Sequence, residues 1–178
     1  MSGAPGLAAI GPVMQMAYVP GDFDAALCYW TETMGVGPFF LIENIALKDM
    51  RYRGEPSDAV FSIALAYWGD VQIELIRAEN DAPSIYGGDY GVTDRLHHVC
   101  ILTDDIADAR AICDAQSAEI LVEAKVGEDG AVLYADPGAG PGNLVEILQP
   151  ASGSADLFAM IGAAAADWDG SEPVRRLG

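Results

Sequence analysis

Basic residues are scarce in this chain. Its 178 residues hold 9 lysines and arginines against 27 aspartates and glutamates, a formal net charge of −18. A surface of that sign repels phosphate backbones and anionic bilayers, which argues against nucleic acid and membrane surfaces as partners. An anionic small molecule is still possible, because a bound cation and a few arginines reverse the field locally. Cysteine is sparse as well. Cys28, Cys100 and Cys113 are odd in number and lack a CxxC spacing. They read as reduced thiols, not as a disulfide frame or a zinc cluster. Although 51% of the residues are hydrophobic, no apolar run reaches the ~20 residues that a bilayer span takes. The first six residues have neither the basic start nor the apolar centre of a secretory leader. A cytoplasmic location is the expectation.

What the chain does have is a pattern stated twice. Gln15 precedes Asp22 by seven residues, and His98 precedes Asp105 by seven. Each pair leads into a helical stretch. Each half then closes on a similar strand, Val71-Gln-Ile-Glu-Leu-Ile-Arg77 in the first and Asn143-Leu-Val-Glu-Ile-Leu-Gln149 in the second. Glu74 and Glu146 occupy like positions in these strands. Internal similarity of this kind dictates architecture before local propensity does.

The length suits one domain or two small halves sharing a core. Residues 1–11 read as a lead-in, 12–78 as a first unit, 79–95 as a Pro/Gly/Asp-rich linker, 96–150 as a second unit and 151–178 as a helical extension. Within the first unit, 12–19 reads as a strand and Asp22 as the cap of a helix over 23–34, with Phe23, Ala26, Leu27 and Trp30 on one face. Segments 38–46, 59–68 and 71–77 read as strands, with a tight turn at Trp68-Gly69-Asp70. Residues 48–58 are charged and irregular. In the second unit, a strand over 97–103 precedes a helix capped by Asp104 or Asp105 and running to about 116, and strands follow near 119–125, 130–135 and 143–149. The order is strand–helix–three strands, twice, an α+β class. An Ala-rich helix is expected at 155–168.

Strand side chains alternate between faces. His98 therefore shares a face with Cys100 and Leu102, and His97 points the other way. Gln15, Glu74 and Glu146 each sit among apolar neighbours on their own strands. A lone buried carboxylate is costly, and two together would force one to take up a proton. A divalent cation removes that cost, because two carboxylates, an imidazole and an amide carbonyl make a neutral site around it. The expected metal ligands are Gln15, Glu74, His98 and Glu146. Mixed nitrogen and oxygen donors suit Zn, Ni, Co, Mn or Fe(II) without choosing among them. The glycine-rich run 136–142 lacks the lysine and the following helix of a phosphate loop, and reads as a turn feeding the last strand.

These motifs resemble the vicinal-oxygen-chelate superfamily, which includes glyoxalase I, methylmalonyl-CoA epimerase, the extradiol dioxygenases and the fosfomycin and bleomycin resistance proteins. The resemblance covers about residues 12–150. It rests on Gln15 with Asp22, Val71-Gln-Ile-Glu74, Leu96-His-His98 with Asp104-Asp105, and Asp136-Pro137 with Asn143-Leu-Val-Glu146. It implies two tandem βαβββ modules whose mixed sheet curves into a cup around a metal held from the first and last strands of each module. The Gln/Glu/His/Glu order is similar to that of zinc-type glyoxalase I, whereas the His97-His98 pair and the length are closer to the epimerases. The arginines and asparagine that hold glutathione in glyoxalase I have no counterparts here: Val19, Ala78 and Asp94 stand at those positions, with Arg95 beside the last.

The expected activity is that of a metal-dependent isomerase, epimerase or lyase that moves a proton next to a chelated carbonyl. Glu146 is the first candidate for the base, with Glu74 on the opposite side, because removal and return of a proton need groups near both faces. Arg51 and Arg53, with Lys48, are candidate contacts for an anionic part of the substrate. The apolar segment around Phe39, Phe40, Leu41, Ile63 and Leu65 suits a small carbonyl compound or an acyl thioester. A homodimer is expected, with the C-terminal helix as one surface for it. Two other readings stay open: an Fe(II) extradiol-type dioxygenase, disfavoured by the single histidine on the expected face, and a non-catalytic small-molecule binding or resistance protein.

Overall fold

The computed structural model describes residues 4–177. The first three residues of the lead-in and the last residue of the extension lie outside them. One mixed sheet of eleven strands carries the molecule, with three helices against it. The strands are β1 (Val13–Tyr18), β2 (Phe39–Ala46), β3 (Lys48–Tyr52), β4 (Glu55–Pro56), β5 (Val60–Trp68), β6 (Val71–Ala78), β7 (Leu96–Leu102), β8 (Glu119–Val126), β9 (Gly130–Asp136), β10 (Leu144–Gln149) and β11 (Val174–Leu177). The helices are α1 (Phe23–Cys28), α2 (Ile106–Ala115) and α3 (Ser154–Ala166). Asp22 and Asp105 cap α1 and α2 by accepting hydrogen bonds from first-turn N–H groups, as their positions in the repeat predict. The stretch read as one helix over 23–34 is α1 followed by a π turn over Tyr29–Thr33.

The sheet order is β11-β2-β5-β6-β1-β7-β10-β9-β8-β3-β4. The two halves meet at its centre, where β1 runs antiparallel to β7. On either side of that seam β1 pairs parallel with β6 and β7 pairs parallel with β10. The duplication is therefore an approximate two-fold relation about the β1–β7 seam. It brings the last strand of each half next to the first.

Two segments depart from the sequence reading. The charged stretch 48–58 is not irregular: Lys48, Arg51 and Tyr52 pair with β8, at the far edge of the second half. Only Leu47 separates β2 from β3, and one intervening residue spans at most about 7 Å. Yet β2 and β3 lie near opposite ends of the strand order. The chain can satisfy both facts only if the sheet curls until its ends approach, and this closes it into a cup. At the other edge, the tail forms β11 on β2, where only a helix was expected beyond residue 151.

The convex side of the first half packs Phe23, Leu27 and Trp30 on Phe39, Leu41, Ile73 and Leu75. The convex side of the second packs Ala109 and Cys113 of α2 on Leu133, Ala135 and Ile147. Helix α3 lies instead on the concave side, with Ile161 buried against Phe40 and Leu65. Phe40 pairs with Leu65, and Leu65 with Glu74, across the sheet. Helix α3 therefore occupies the same face as the candidate ligands.

Candidate metal centre

Four strands deliver the predicted donors to one place. Gln15 is in register with Gln72 on one side and Cys100 on the other, and Cys100 is in register with Glu146. Ala17, two residues along β1, is in register with both Glu74 and His98. Cross-strand partners share a face, so the two rows set Gln15, Glu74, His98 and Glu146 together on the inside of the cup. All four are buried. His98 Nε2 lies 3.1 Å from a Glu146 oxygen and 3.5 Å from a Glu74 oxygen. One donor atom from each of these three residues falls within 4.8 Å of the others. Small Ala17, without exposure, leaves the space between them.

Gln15 is held by its amide nitrogen, which donates to Gln72 Oε1 at 2.6 Å. This leaves its carbonyl oxygen, the amide atom that coordinates metals, as the free end. The Gln72 side-chain nitrogen is buried without a partner.

The two histidines do not diverge as strict alternation predicts. Opposite Ala17 and Tyr18 of β1, β7 supplies His98 and then Leu96 as partners, so one extra residue is accommodated at His97. Such a bulge re-aims side chains. His97 and His98 are both fully buried, and their Nδ1 atoms meet at 2.9 Å. His97 Nε2 lies 2.9 Å from the Ile85 carbonyl. A carbonyl only accepts, so Nε2 of His97 carries the proton. Neutral His97 then presents a bare Nδ1, which can only accept from Nδ1–H of His98. His98 is thereby left with Nε2 facing the glutamates. Burial, followed by the neighbouring His98, lowers the pKa of His97 to about 4, in keeping with a neutral ring at position 97.

Without a cation the cluster must share protons. Burial raises the Glu74 pKa, against a hydrogen bond from His98 and with Glu146 adding repulsion. For His98, burial alone would favour the neutral ring, but hydrogen bonds to Glu146 and Glu74 outweigh it and lift the pKa to about 9. An imidazolium clamped between two glutamates is how the fold balances this charge with its own atoms. A divalent cation would do so better, since it replaces one proton with two charges and meets all three donors at once. Tyr86 and Tyr134 wall the site, and burial pushes both hydroxyls well above their ordinary range, so they remain phenols. Cys100 is held as a thiol by burial and the nearby glutamates.

The cavity in front of these donors measures about 220 Å³. Gln15, Gln72, Glu74, Tyr134 and Glu146 form its polar end. Ile42, Ile63, Leu65, Val132 and Leu148 form its walls, and Leu157 and Phe158 of α3 complete it. Arg51 and Arg53 are not brought to this cavity. Arg51 donates to the Gly54 carbonyl and lines a cleft with Arg110 of α2. Arg53 pairs with Glu119 and lies over the rings of Tyr52 and Tyr90. Lys48 is exposed at the start of β3. His97, Gln72 and the α3 residues were not singled out as site residues from the sequence. The bulge that turns His97 inward has no local signature, whereas Gln72 carries a weak one in its polar alternation with Glu74 on β6.

Among the described residues no helix is long and apolar enough to cross a membrane. Residues 14–134 match the family model described as the glyoxalase/bleomycin resistance protein/dioxygenase superfamily. No curated protein matches the chain. Among solved structures, the chain is similar to a Streptomyces coelicolor methylmalonyl-CoA epimerase variant in complex with 2-nitronate-propionyl-CoA. They share 17% identity at a TM-score of 0.55, over 80% of this chain and 99% of that one. A hypothetical protein from Bacillus halodurans is 13% identical at a TM-score of 0.56, over 79% and 95% of the two chains. The Mycobacterium tuberculosis methylmalonyl-CoA epimerase is 11% identical at 0.51, over 86% and 95%.

Proposed function

The chain belongs to the glyoxalase/bleomycin resistance protein/dioxygenase superfamily, and from that premise we propose that it is a metal-dependent isomerase, epimerase or lyase that shifts a proton next to a carbonyl. The observation that carries this reading is the buried group of Glu74, His98 and Glu146, with donor atoms within 4.8 Å of one another, at the polar end of a largely apolar, half-open cavity. Glu74, His98 and Glu146 would hold the cation, and Gln15, steered by Gln72, would offer its carbonyl oxygen as a fourth donor. When bound, the cation supplies Lewis acidity to two neighbouring oxygens of the substrate and so acidifies the C–H beside the carbonyl.

The rest falls to the chain's own groups. Glu146 sits on β10 and Glu74 on β6, on opposite sides of the β1–β7 seam. A substrate lying over the seam presents one face to each. Glu146 takes the proton from carbon, and Glu74 returns one to the same or the neighbouring carbon from the other side. With a cation in place of the shared proton, His98 would present a bare Nε2, because His97 holds the remaining proton on Nδ1. The apolar walls reduce the water around the reacting carbon, which would otherwise be protonated without stereochemical control. The epimerases among the similar structures are named for a reaction of this class, inversion at a carbon beside a thioester carbonyl. The dioxygenase reading is the weaker because the group holds a single histidine and two carboxylates.

Metal analysis of the purified protein, expressed with Zn, Ni, Co, Mn and Fe supplied together, tests the proposal. About one equivalent is expected in the wild type and a loss to background in Glu146→Ala. A wild type without metal would overturn it. Glu146→Gln tests the base: with any substrate the protein turns over, kcat is expected to fall at least about a hundredfold.

A further inference from the structure

The substrate has to fit the cavity, and one wall of that cavity comes from outside the duplicated units. Ser154, Leu157 and Phe158 of α3 line it opposite the strands. This helix is fixed at both ends. At its start, the Ser152 N–H and hydroxyl both donate to Asp129. A Cβ at Gly130 would lie 2.7 Å from the Ala151 nitrogen, so a glycine is needed there for the chain to pass from β10 into the helix. In its middle, Ile161 is fully buried on Phe40 and Leu65. Beyond its end, Trp168 packs within 2.8 Å of where a Gly37 Cβ would be, and β11 pairs with β2. Both ends and the centre must be undone together to move it, so α3 is a wall and not a swinging lid.

The space it leaves is small. About 220 Å³ is below the roughly 300–1,000 Å³ of pockets that take drug-sized ligands, and not far above the ~150 Å³ apolar cavity that accepts benzene. Away from the donor end the lining is aliphatic and aromatic, and none of the nine lysines and arginines contributes to it. Five of the arginines and lysines in the sequence pair instead with carboxylates elsewhere: Arg53, Arg77, Arg110, Lys125 and Arg176. A phosphate-bearing carrier would find no cation along the cavity wall, and where it left through the open side it would meet a chain of net charge −18. Burying an anion without a partner is prohibitive.

We infer that α3 sets the size limit of the site through Leu157 and Phe158, and that the ligand is a small, uncharged, largely apolar carbonyl compound with neighbouring oxygens, not a thioester of a phosphate-bearing carrier. The oxygens meet the donor end and the apolar body meets Ile42, Ile63, Leu65 and Leu148. This inference rests on the metal-dependent reading only for the neighbouring oxygens. The size and polarity limits come from the walls alone.

The test uses calorimetric titration of the full chain with two probes, each on metal-free and zinc-loaded protein. The first, 4-methylphenol, is small, uncharged and apolar. The second, propionyl-CoA, is a phosphate-bearing thioester. Wild type is expected to bind 4-methylphenol with or without metal and to bind propionyl-CoA at least about tenfold more weakly. Leu157→Trp fills the cavity and is expected to weaken 4-methylphenol by about tenfold or more. Should that variant fail to fold, Leu157→Ala gives the converse reading: 2-naphthol is expected to gain about fivefold over wild type. Tighter binding of propionyl-CoA than of 4-methylphenol, no binding of 4-methylphenol, or affinities indifferent to residue 157 would overturn the inference. If zinc fails to bind while residue 157 still controls 4-methylphenol, the metal-dependent reading falls and the wall stands.

Discussion

His97 is the residue on which the chemistry of His98 depends, although it faces no substrate. It holds one tautomer by three linked facts: the Ile85 carbonyl accepts from Nε2, the neutral ring leaves Nδ1 bare, and His98 Nδ1 meets that atom at 2.9 Å. Partners of this kind fix the orientation of metal-binding histidines, and their loss costs metal affinity about 10–100-fold. His97→Phe is therefore expected to weaken zinc by that factor in a chelator competition, with His97→Asn recovering part of the loss because its amide can accept from His98. Equal zinc affinity in wild type and His97→Phe would show that the pair is merely packed. The four candidate ligands could be picked from the sequence because duplication placed them at matching points. His97 could not, since alternation predicts the opposite face and only a bulge reverses it.

At the scale of elements, Asp136 explains how a glycine-rich stretch becomes a defined turn. Its carboxylate accepts from the N–H groups of Gly138, Ala139 and Gly140 at 2.8, 3.0 and 3.1 Å, and from the Tyr90 hydroxyl at 2.8 Å. The turn it builds leads directly into β10 and so into Glu146. Burial works to raise the Asp136 pKa, but the Tyr90 hydroxyl and the three backbone donors outweigh it and hold the pKa below the ordinary value. A depressed carboxylate contributes stability above its unfolded pKa of 3.8, and that contribution is lost as pH falls through the lower folded value. Asp136→Asn, which imitates the protonated acid, is expected to cost about 1–3 kcal/mol at pH 7 in urea unfolding. The gap to wild type should shrink toward pH 3. A gap that stays constant with pH would mean the charge contributes nothing. Turn chemistry was visible in the sequence here, as was the Asp22 cap and, to within the choice of Asp104 or Asp105, the second cap, because aspartate and glycine act locally. The β3 and β11 strands were not, since each exists only by pairing with a strand distant in sequence, Lys48–Tyr52 on β8 and Val174–Leu177 on β2.

For the molecule as a whole, the pairing of β1 with β7 joins the two halves into one sheet, and they are expected to unfold as one unit. Glu74 comes from the first half, and His98 and Glu146 come from the second. A cation held by all three can bind only when the seam is intact, so binding energy is shared by both halves. At a free zinc concentration about a thousandfold above Kd, the folded state gains about 4 kcal/mol. For a chain of this length, that corresponds to a rise in Tm of roughly 8–16 °C. The three tryptophans, Trp30, Trp68 and Trp168, report on the first half and the extension, and the second half has none. Far-UV circular dichroism reports on both. One transition is expected by either signal, moved upward together by zinc and unmoved in Glu146→Ala. If tryptophan fluorescence and circular dichroism gave separate midpoints, the halves would be independent modules joined by a sheet edge. The β2–Leu47–β3 crossing argues against that, because it ties the first half's chain into the second half's far edge and lets neither unfold without opening the cup.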